Sequence, residues 1–291
     1  MSRCIAFHSY KGGTGKTTIA ANLAGVLAKM GKRVFILDLD MYAPGLHTYF
    51  GKSPVNDIRN TINDYISGNC EVKDLIVDLT PTIKKLESKE SIKGELFGCF
   101  SSPERREILK IDGIKEDKNR IAMLRRFIVL TNDLFIKHDA DYIILDSSPG
   151  IRFWAINALA VANDVFLTLK LDDIDIEGTK LIISDILENF REKSNTKYSV
   201  LLNRISGYCT PPPNSEPIRI SDLDYKHSTK HIHDEILKKL SDEIHIDTIS
   251  AIPCYCDIQF SQKEFMTAIE HPTHPFSCEF DKLIKVVDSP D

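Results

Sequence analysis

Residues 11 to 18 read Lys-Gly-Gly-Thr-Gly-Lys-Thr-Thr, following a short apolar run, Cys4-Ile5-Ala6-Phe7, and opening a helical pattern. Strand, glycine-rich loop and helix in that order are what a phosphate-binding loop requires. Glycine lets the backbone come close to an anion, so the N–H groups around Gly12, Gly13, Thr14 and Gly15 can wrap a polyphosphate. The helix that starts near Lys16 turns its positive end toward the same anion. In such a loop Lys16 reaches the β- and γ-phosphates and the Thr17 hydroxyl sits on Mg²⁺, and Thr18 is counted with the nucleotide-binding residues.

Carboxylates follow at matching positions. The run Val34-Phe35-Ile36-Leu37 ends in Asp38-Leu39-Asp40, and Tyr142-Ile143-Ile144-Leu145 ends in Asp146, followed by Ser147-Ser148-Pro149-Gly150. An aspartate closing an apolar strand can hold Mg²⁺ directly or through water, and a flexible Ser-Pro-Gly after it suits a loop that senses the γ-phosphate. Taken alone, such an aspartate is also a common turn residue.

These residues need a scaffold that brings strand ends together. Apolar runs near 34–37, 95–100, 141–146, 165–169, 198–203 and 246–252 alternate with amphipathic helical stretches near 16–30, 57–77, 119–138, 152–163 and 177–193. That alternation predicts an α/β protein of three layers, with a mostly parallel central sheet and helices on both faces. Ligands on such sheets bind beyond the carboxyl ends of the strands, where every candidate residue falls. At 291 residues and 42% hydrophobic content the chain can form one core, and a single domain over 1–291 is expected. The stretches 80–125 and 206–245 are its least readable parts.

The loop departs from the general phosphate-loop pattern. Tyr10 stands where a glycine is usual, and a second lysine, Lys11, opens the loop. Lys11-Gly-Gly-Thr-Gly-Lys16-Thr17 resembles the deviant Walker A loop of the ParA/MinD family of P-loop ATPases. The resemblance extends through Asp38-Leu39-Asp40, Asp146 to Gly150, Asn157 to Asp164, Ile176-Glu177-Gly178, Leu201-Leu202-Asn203-Arg204, and Ile252-Pro253-Cys254 followed by Gln259. It implies ATP and Mg²⁺ as cofactors and ATP hydrolysis that is slow without a partner. Lys11 then crosses to the nucleotide of a second subunit in an ATP-dependent homodimer. Asp40 positions the hydrolytic water, while Asp38 and Asp146 with Thr17 support the metal. Asn203, with Arg204, meets the adenine edge, and Pro253 and Cys254 belong to a loop over the base. In the family such switches position DNA or cellular assemblies; an ATP-binding adaptor for a protein partner is the alternative. The stretch Met41-Tyr42-Ala43-Pro44-Gly45-Leu46 differs from that of common plasmid partition proteins, which bears on the partner and not on the nucleotide chemistry.

Other features are weaker. The formal net charge of −5 supplies no global basic field for nucleic acid or membrane. Seven cysteines at irregular spacing, with the chain opening on a strand and no secretory signal, fit reduced thiols and a cytoplasmic location. No apolar run reaches the ~18–20 residues of a membrane-spanning helix, so membrane insertion is not expected. Cys254-Tyr255-Cys256 lacks the C-x-x-C spacing of zinc sites, and His227, His231 and His233 read as a solvated helix start before a metal site. Arg105, Arg106, Lys110, Lys118, Arg120, Arg125 and Arg126 are the best basic candidate for non-specific DNA, with a protein activator as the other partner class. Interleaved acids make a solvated charged face the plainer reading. Trp154 reads as a packing residue close to the 146–150 loop.

Overall fold

The structure is a computed structural model that describes residues 2–86, 92–113, 117–187, 195–205, 229–255, 258 and 266–289. Its strands are β1 (Arg3–His8), β2 (Arg33–Leu39), β3 (Val77–Asp78), β4 (Glu95–Cys99), β5 (Tyr142–Ser147), β6 (Asp164–Leu169), β7 (Lys197–Ile205) and β8 (Thr248–Pro253). They form one sheet in the order β3-β4-β2-β5-β1-β6-β7-β8. All neighbours are parallel except the short edge pair β3 and β4. The two-residue β3 is an edge that the sequence reading assigned to helix. The helices are α1 (Lys16–Lys29), α2 (Leu46–Tyr49), α3 (Ile62–Ile66), α4 (Val72–Leu75), α5 (Thr80–Leu86), α6 (Arg105–Gly113), α7 (Asp117–Ile136), α8 (Phe153–Val161), α9 (Asp173–Ile182) and α10 (Thr229–Ile244). Three short ones close the chain: α11 (Thr267–Glu270), α12 (Pro275–Cys278) and α13 (Phe280–Val287).

The strands are buried on both faces, as a parallel sheet between helix layers must be. Alternation along β1 shows it. Cys4 and Ala6 join one core with Phe127, Leu130 and Leu134 of α7, Trp154 of α8 and Ile182 of α9. Ile5 and Phe7 join the opposite core with Ile19, Leu23 and Leu27 of α1 and Phe280 and Leu283 of α13. The three-residue and four-residue spacing on α1 and α7 puts each apolar set on one face of its helix. Glycines set two close approaches: Gly31, with φ +94, turns the chain out of α1, and Gly25 leaves room for Met266 and Ile269 against that helix.

Where the sequence predicted one helix over 177–193, α9 starts earlier and passes into a π-helical turn, Ile183–Leu187. Asp172 caps α9 by accepting from Asp175 N at 2.9 Å, which explains the earlier start. Most of 206–245 lies outside the described residues. So do Gln259, Cys256 and His227.

Candidate functional site

The strand β1 lies at the centre of the sheet, with β5 on one side and β6 on the other, and the loop Ser9–Gly15 leaves its carboxyl end. The loop is tied on three sides. Ser9 accepts from Lys16 Nζ at 2.8 Å through its hydroxyl, which itself donates to Lys11 O, and its carbonyl accepts from Gly150 N at 2.9 Å. Thr14 Oγ1 lies 3.1 Å from Thr168 Oγ1 at the end of β6. Asn203 Nδ2 donates to Thr14 O at 2.7 Å. Gly15 has φ +93, and a Cβ there would collide with that same amide nitrogen. Gly13, at φ +74, and Gly12 are exposed, so the mouth of the loop is open bare backbone.

Lys16 is buried at the base, and burial lowers its pKa against the attraction of Asp146, Asp40 and Asp175. Thr18 hydrogen-bonds Tyr49 Oη at 2.7 Å, holding α2 to the start of α1. The carboxylates stand on the β2–β5 side. Asp38 and Asp146 are register partners on those adjacent strands. Asp38 is fully buried, and its oxygens accept from Asp40 N at 3.0 Å and Leu46 N at 3.2 Å. Burial, then the charges of Asp146 and Asp40, push its pKa well above the usual carboxylate range. Asp38 thereby braces the 40–46 loop. Asp40 is half-buried and turns that loop by accepting from Tyr42 N at 3.3 Å and Ala43 N at 3.1 Å. Burial raises Asp146 to about 7, although the Thr17 hydroxyl and Lys16 favour its charged form. Its Oδ1 is buried with no hydrogen-bond partner. An orphaned carboxylate oxygen beside a threonine hydroxyl and a further carboxylate is an all-oxygen donor set of the kind hard divalent cations take, and it fits Mg²⁺.

Lys11 stands at the mouth, 38% exposed, with Nζ 3.4 Å from Asp172 Oδ1 and 3.7 Å from Asp175 Oδ1. On the far side, β7 carries a bulge after Asn203, and Arg204 takes a left-handed φ of 57 with its N–H bonded to Asn203 Oδ1 at 2.9 Å. Pro253 pairs with Ile205, and Cys254 N donates to Ile205 O at 3.0 Å, so Asn203, Arg204, Pro253 and Cys254 converge at the ends of β7 and β8.

The structure thus places the sequence-chosen residues at or after the carboxyl ends of neighbouring strands and adds others. His8 is buried behind the loop, with Nδ1 2.9 Å from Ser147 Oγ, and burial followed by the nearby Lys16 lowers it to about 3, so it is neutral. Ser9, Thr168, Asp172 and Asp175 are likewise parts of the frame. Their signal was faint: two polar residues closing an apolar run, and an acidic pair that reads as an ordinary helix cap. Tyr10 fills the space left by Gly178 on α9, where a Cβ would strike its ring. The Arg152 guanidinium lies 3.9 Å over the Tyr42 ring, joining the loop after Asp146 to the altered 41–46 stretch.

Several basic candidates away from these strand ends are already paired. Arg106 pairs with Glu104 and Glu107, Lys110 pairs with Glu107, and Arg126 Nε donates to Tyr65 O at 2.7 Å. Trp154 is fully buried against Phe127 and Phe153. Among the described residues there is no cluster of metal-ligating side chains of three or more His, Cys, Asp or Glu, and no helix is long and apolar enough to cross a membrane.

A family model described as an AAA domain matches residues 2–200. The chain is 25% identical over 200 residues to the chromosome-partitioning ATPase Soj of Treponema pallidum, covering 69% of each chain. It is 38% identical over 199 residues to the antiactivator FleN of Pseudomonas aeruginosa, covering 68% of this chain and 60% of FleN. Among solved structures, the septum site-determining protein MinD of Pyrococcus horikoshii, complexed with Mg-ADP, superposes with a TM-score of 0.68 at 21% identity, covering 99% of this chain and 97% of that one. That likeness establishes the fold: an eight-stranded, mostly parallel P-loop sheet with helices on both faces.

Proposed function

Because the chain belongs to the ParA/MinD family of P-loop ATPases, we propose that it is a cytoplasmic Mg²⁺-dependent ATPase whose single domain dimerises on ATP and separates after hydrolysis. The observation that carries this reading is the placement of Lys11. Its ammonium stands at the open mouth of the phosphate loop, half-exposed, with contacts among the described residues to Asp172 at 3.4 Å and Asp175 at 3.7 Å. The Lys11–Asp172 pair is exposed and contributes little, and the buried Asp175 keeps its hydrogen bond from Lys170 N when Lys11 leaves, so Lys11 can exchange these contacts for a phosphate. In the dimer Lys11 reaches the nucleotide of the second copy.

Within each copy the loop amides and Lys16 bind the phosphates. Asp40 orients the attacking water. Thr17 and Asp146, with Asp38 behind them, would hold Mg²⁺, which would supply charge neutralisation at the phosphate oxygens. Asn203 and Arg204, with Pro253 and Cys254, border the base. Hydrolysis is slow until a partner stimulates it, and the output is partition or positioning of DNA or of a cellular assembly, the work named for Soj and MinD.

A second reading has one observation of its own. FleN, an antiactivator by name, has the higher identity of the two relatives. In this reading the chain binds ATP and regulates a protein partner with little hydrolysis, using the Tyr42–Arg152 surface where its sequence departs from partition proteins.

DNA binding by the Asp40→Ala protein, with ATP–Mg²⁺ and with ADP across a salt series, separates the two. Binding that needs ATP and weakens steeply with salt supports DNA positioning. Dimerisation without DNA binding in either state refutes it and supports the protein-partner switch.

A further inference from the structure

Lys170 lies outside every motif discussed above, at the end of β6. It follows Thr168, whose hydroxyl meets the Thr14 hydroxyl at 3.1 Å, so this strand end is fastened to the phosphate loop. Its own backbone is clamped on both sides: the N–H donates to Asp175 Oδ2 at 3.1 Å and the carbonyl accepts from Asp172 N at 2.9 Å. The side chain is half-buried and runs toward the loop. Its Nζ lies 3.9 Å from where a Cβ on Gly13 would be. Lys11, by contrast, is parked on Asp172 and Asp175. Among the described residues the Lys170 ammonium has no carboxylate within ion-pair distance. A partly desolvated cation beside the bare backbone of an anion cradle is best satisfied by the anion itself.

We propose that Lys170 is a further phosphate-binding residue, meeting the polyphosphate of a nucleoside triphosphate from the β6 side of the loop while Lys16 serves the β5 side. The inference rests on the nucleotide reading above and deepens it. Three lysines then surround one loop with distinct tasks. Lys16 sits at the buried base, Lys170 on the flank in the same chain, and Lys11 at the mouth, directed to the second copy. The consequence is that part of the affinity for ATP comes from a lysine that does not depend on dimerisation.

The test is a calorimetric titration of ATP–Mg²⁺ and of AMP into the wild-type chain and the Lys170→Gln, Lys170→Met, Lys170→Arg and Lys16→Ala variants, at low and high salt, with nucleotide-free melting curves alongside. Lys170→Gln and Lys170→Met are expected to bind ATP about tenfold more weakly, with a smaller loss for AMP and a flatter salt dependence. Lys170→Arg is expected to recover most of the affinity, and the melting temperatures without nucleotide are expected to stay near wild type. Unchanged ATP affinity in both Lys170→Gln and Lys170→Met overturns the proposal. So does a loss that tracks lowered melting temperature and is not rescued by Lys170→Arg, since that is a structural role. If the wild-type chain fails to bind ATP, or Lys16→Ala binds as well as wild type, the nucleotide reading itself fails and takes this inference with it.

Discussion

Asp38 and Asp146 face each other as register partners on the parallel strands β2 and β5, both buried. Two carboxylates in one low-dielectric pocket resist ionising together, and burial pushes Asp146 from 3.8 to about 7. Between those values the folded protein keeps a proton that the unfolded chain has released. The contribution of Asp146 to stability therefore falls as pH rises across that window and levels off above about 7. His8 works in the opposite sense. Its folded value of about 3 against 6.5 means that its contribution rises with pH between those limits. A cation that takes the Asp146 carboxylate must displace the proton. Calorimetry of ATP–Mg²⁺ binding in two buffers of different ionisation enthalpy is expected to show proton release below pH ~7 that fades above it. Asp146→Asn is expected to abolish the release.

The contact between Tyr10 and Gly178 yields a second prediction. Gly→Ala within a helix is ordinarily stabilising by about 1 kcal/mol. Here the new methyl enters the Tyr10 ring, so Gly178→Ala is expected to destabilise by about 1–3 kcal/mol, as overpacking does. In the Tyr10→Gly background the further change Gly178→Ala is expected to lose most of that penalty, as a double-mutant cycle in chemical denaturation would read.

Asn203 supports the phosphate loop from beneath. Asn203→Ala leaves the Thr14 carbonyl without its partner and is expected to cost about 1–3 kcal/mol and to weaken nucleotide binding. Gly15→Ala meets two obstacles, the Asn203 amide and a left-handed φ of +93. Removing the first by Asn203→Ala is therefore expected to leave Gly15→Ala impaired, as thermal melts of the single and double variants would read.

Trp154 is the single tryptophan, fully buried in α8 just after the 146–150 loop. Its emission is expected to be blue-shifted and poorly quenched by acrylamide. If the 146–150 loop senses the γ-phosphate as proposed, ATP–Mg²⁺ is expected to change its intensity more than ADP does.

The parts of this fold that the sequence disclosed were those with strong local signals. A glycine-rich loop between an apolar run and a helix has few other uses, and aspartates closing apolar runs mark strand ends. Those patterns located Lys16, Asp38, Asp40 and Asp146 and the parallel sheet beneath them. Lys11 and Asn203 needed the family resemblance, since a loop lysine or a strand-end asparagine alone signals nothing. Contacts made across the fold were not legible. Lys170 and Asp175 reach the site through pairing of β6 with β1, and only the sheet order brings them there; His8 ends β1 beside the loop, but its burial against Ser147 of β5 is a contact across the fold. Tyr10 stands where a glycine is usual in such loops. The structure shows why it is tolerated: α9 offers it a glycine. The short β3 edge and the π-turn after α9 depend on tertiary context that no local period encodes.

If Lys11 joins two copies through ATP, the oligomeric state must depend on it. Sedimentation velocity of Asp40→Ala and of Asp40→Ala with Lys11→Ala would be run with ATP–Mg²⁺ and with ADP, alongside ATP-binding titrations. The expected result is a dimer for Asp40→Ala with ATP–Mg²⁺ alone, and a monomer that still binds ATP once Lys11 is removed. A Lys11→Ala protein that dimerises with ATP as readily as its parent would contradict it.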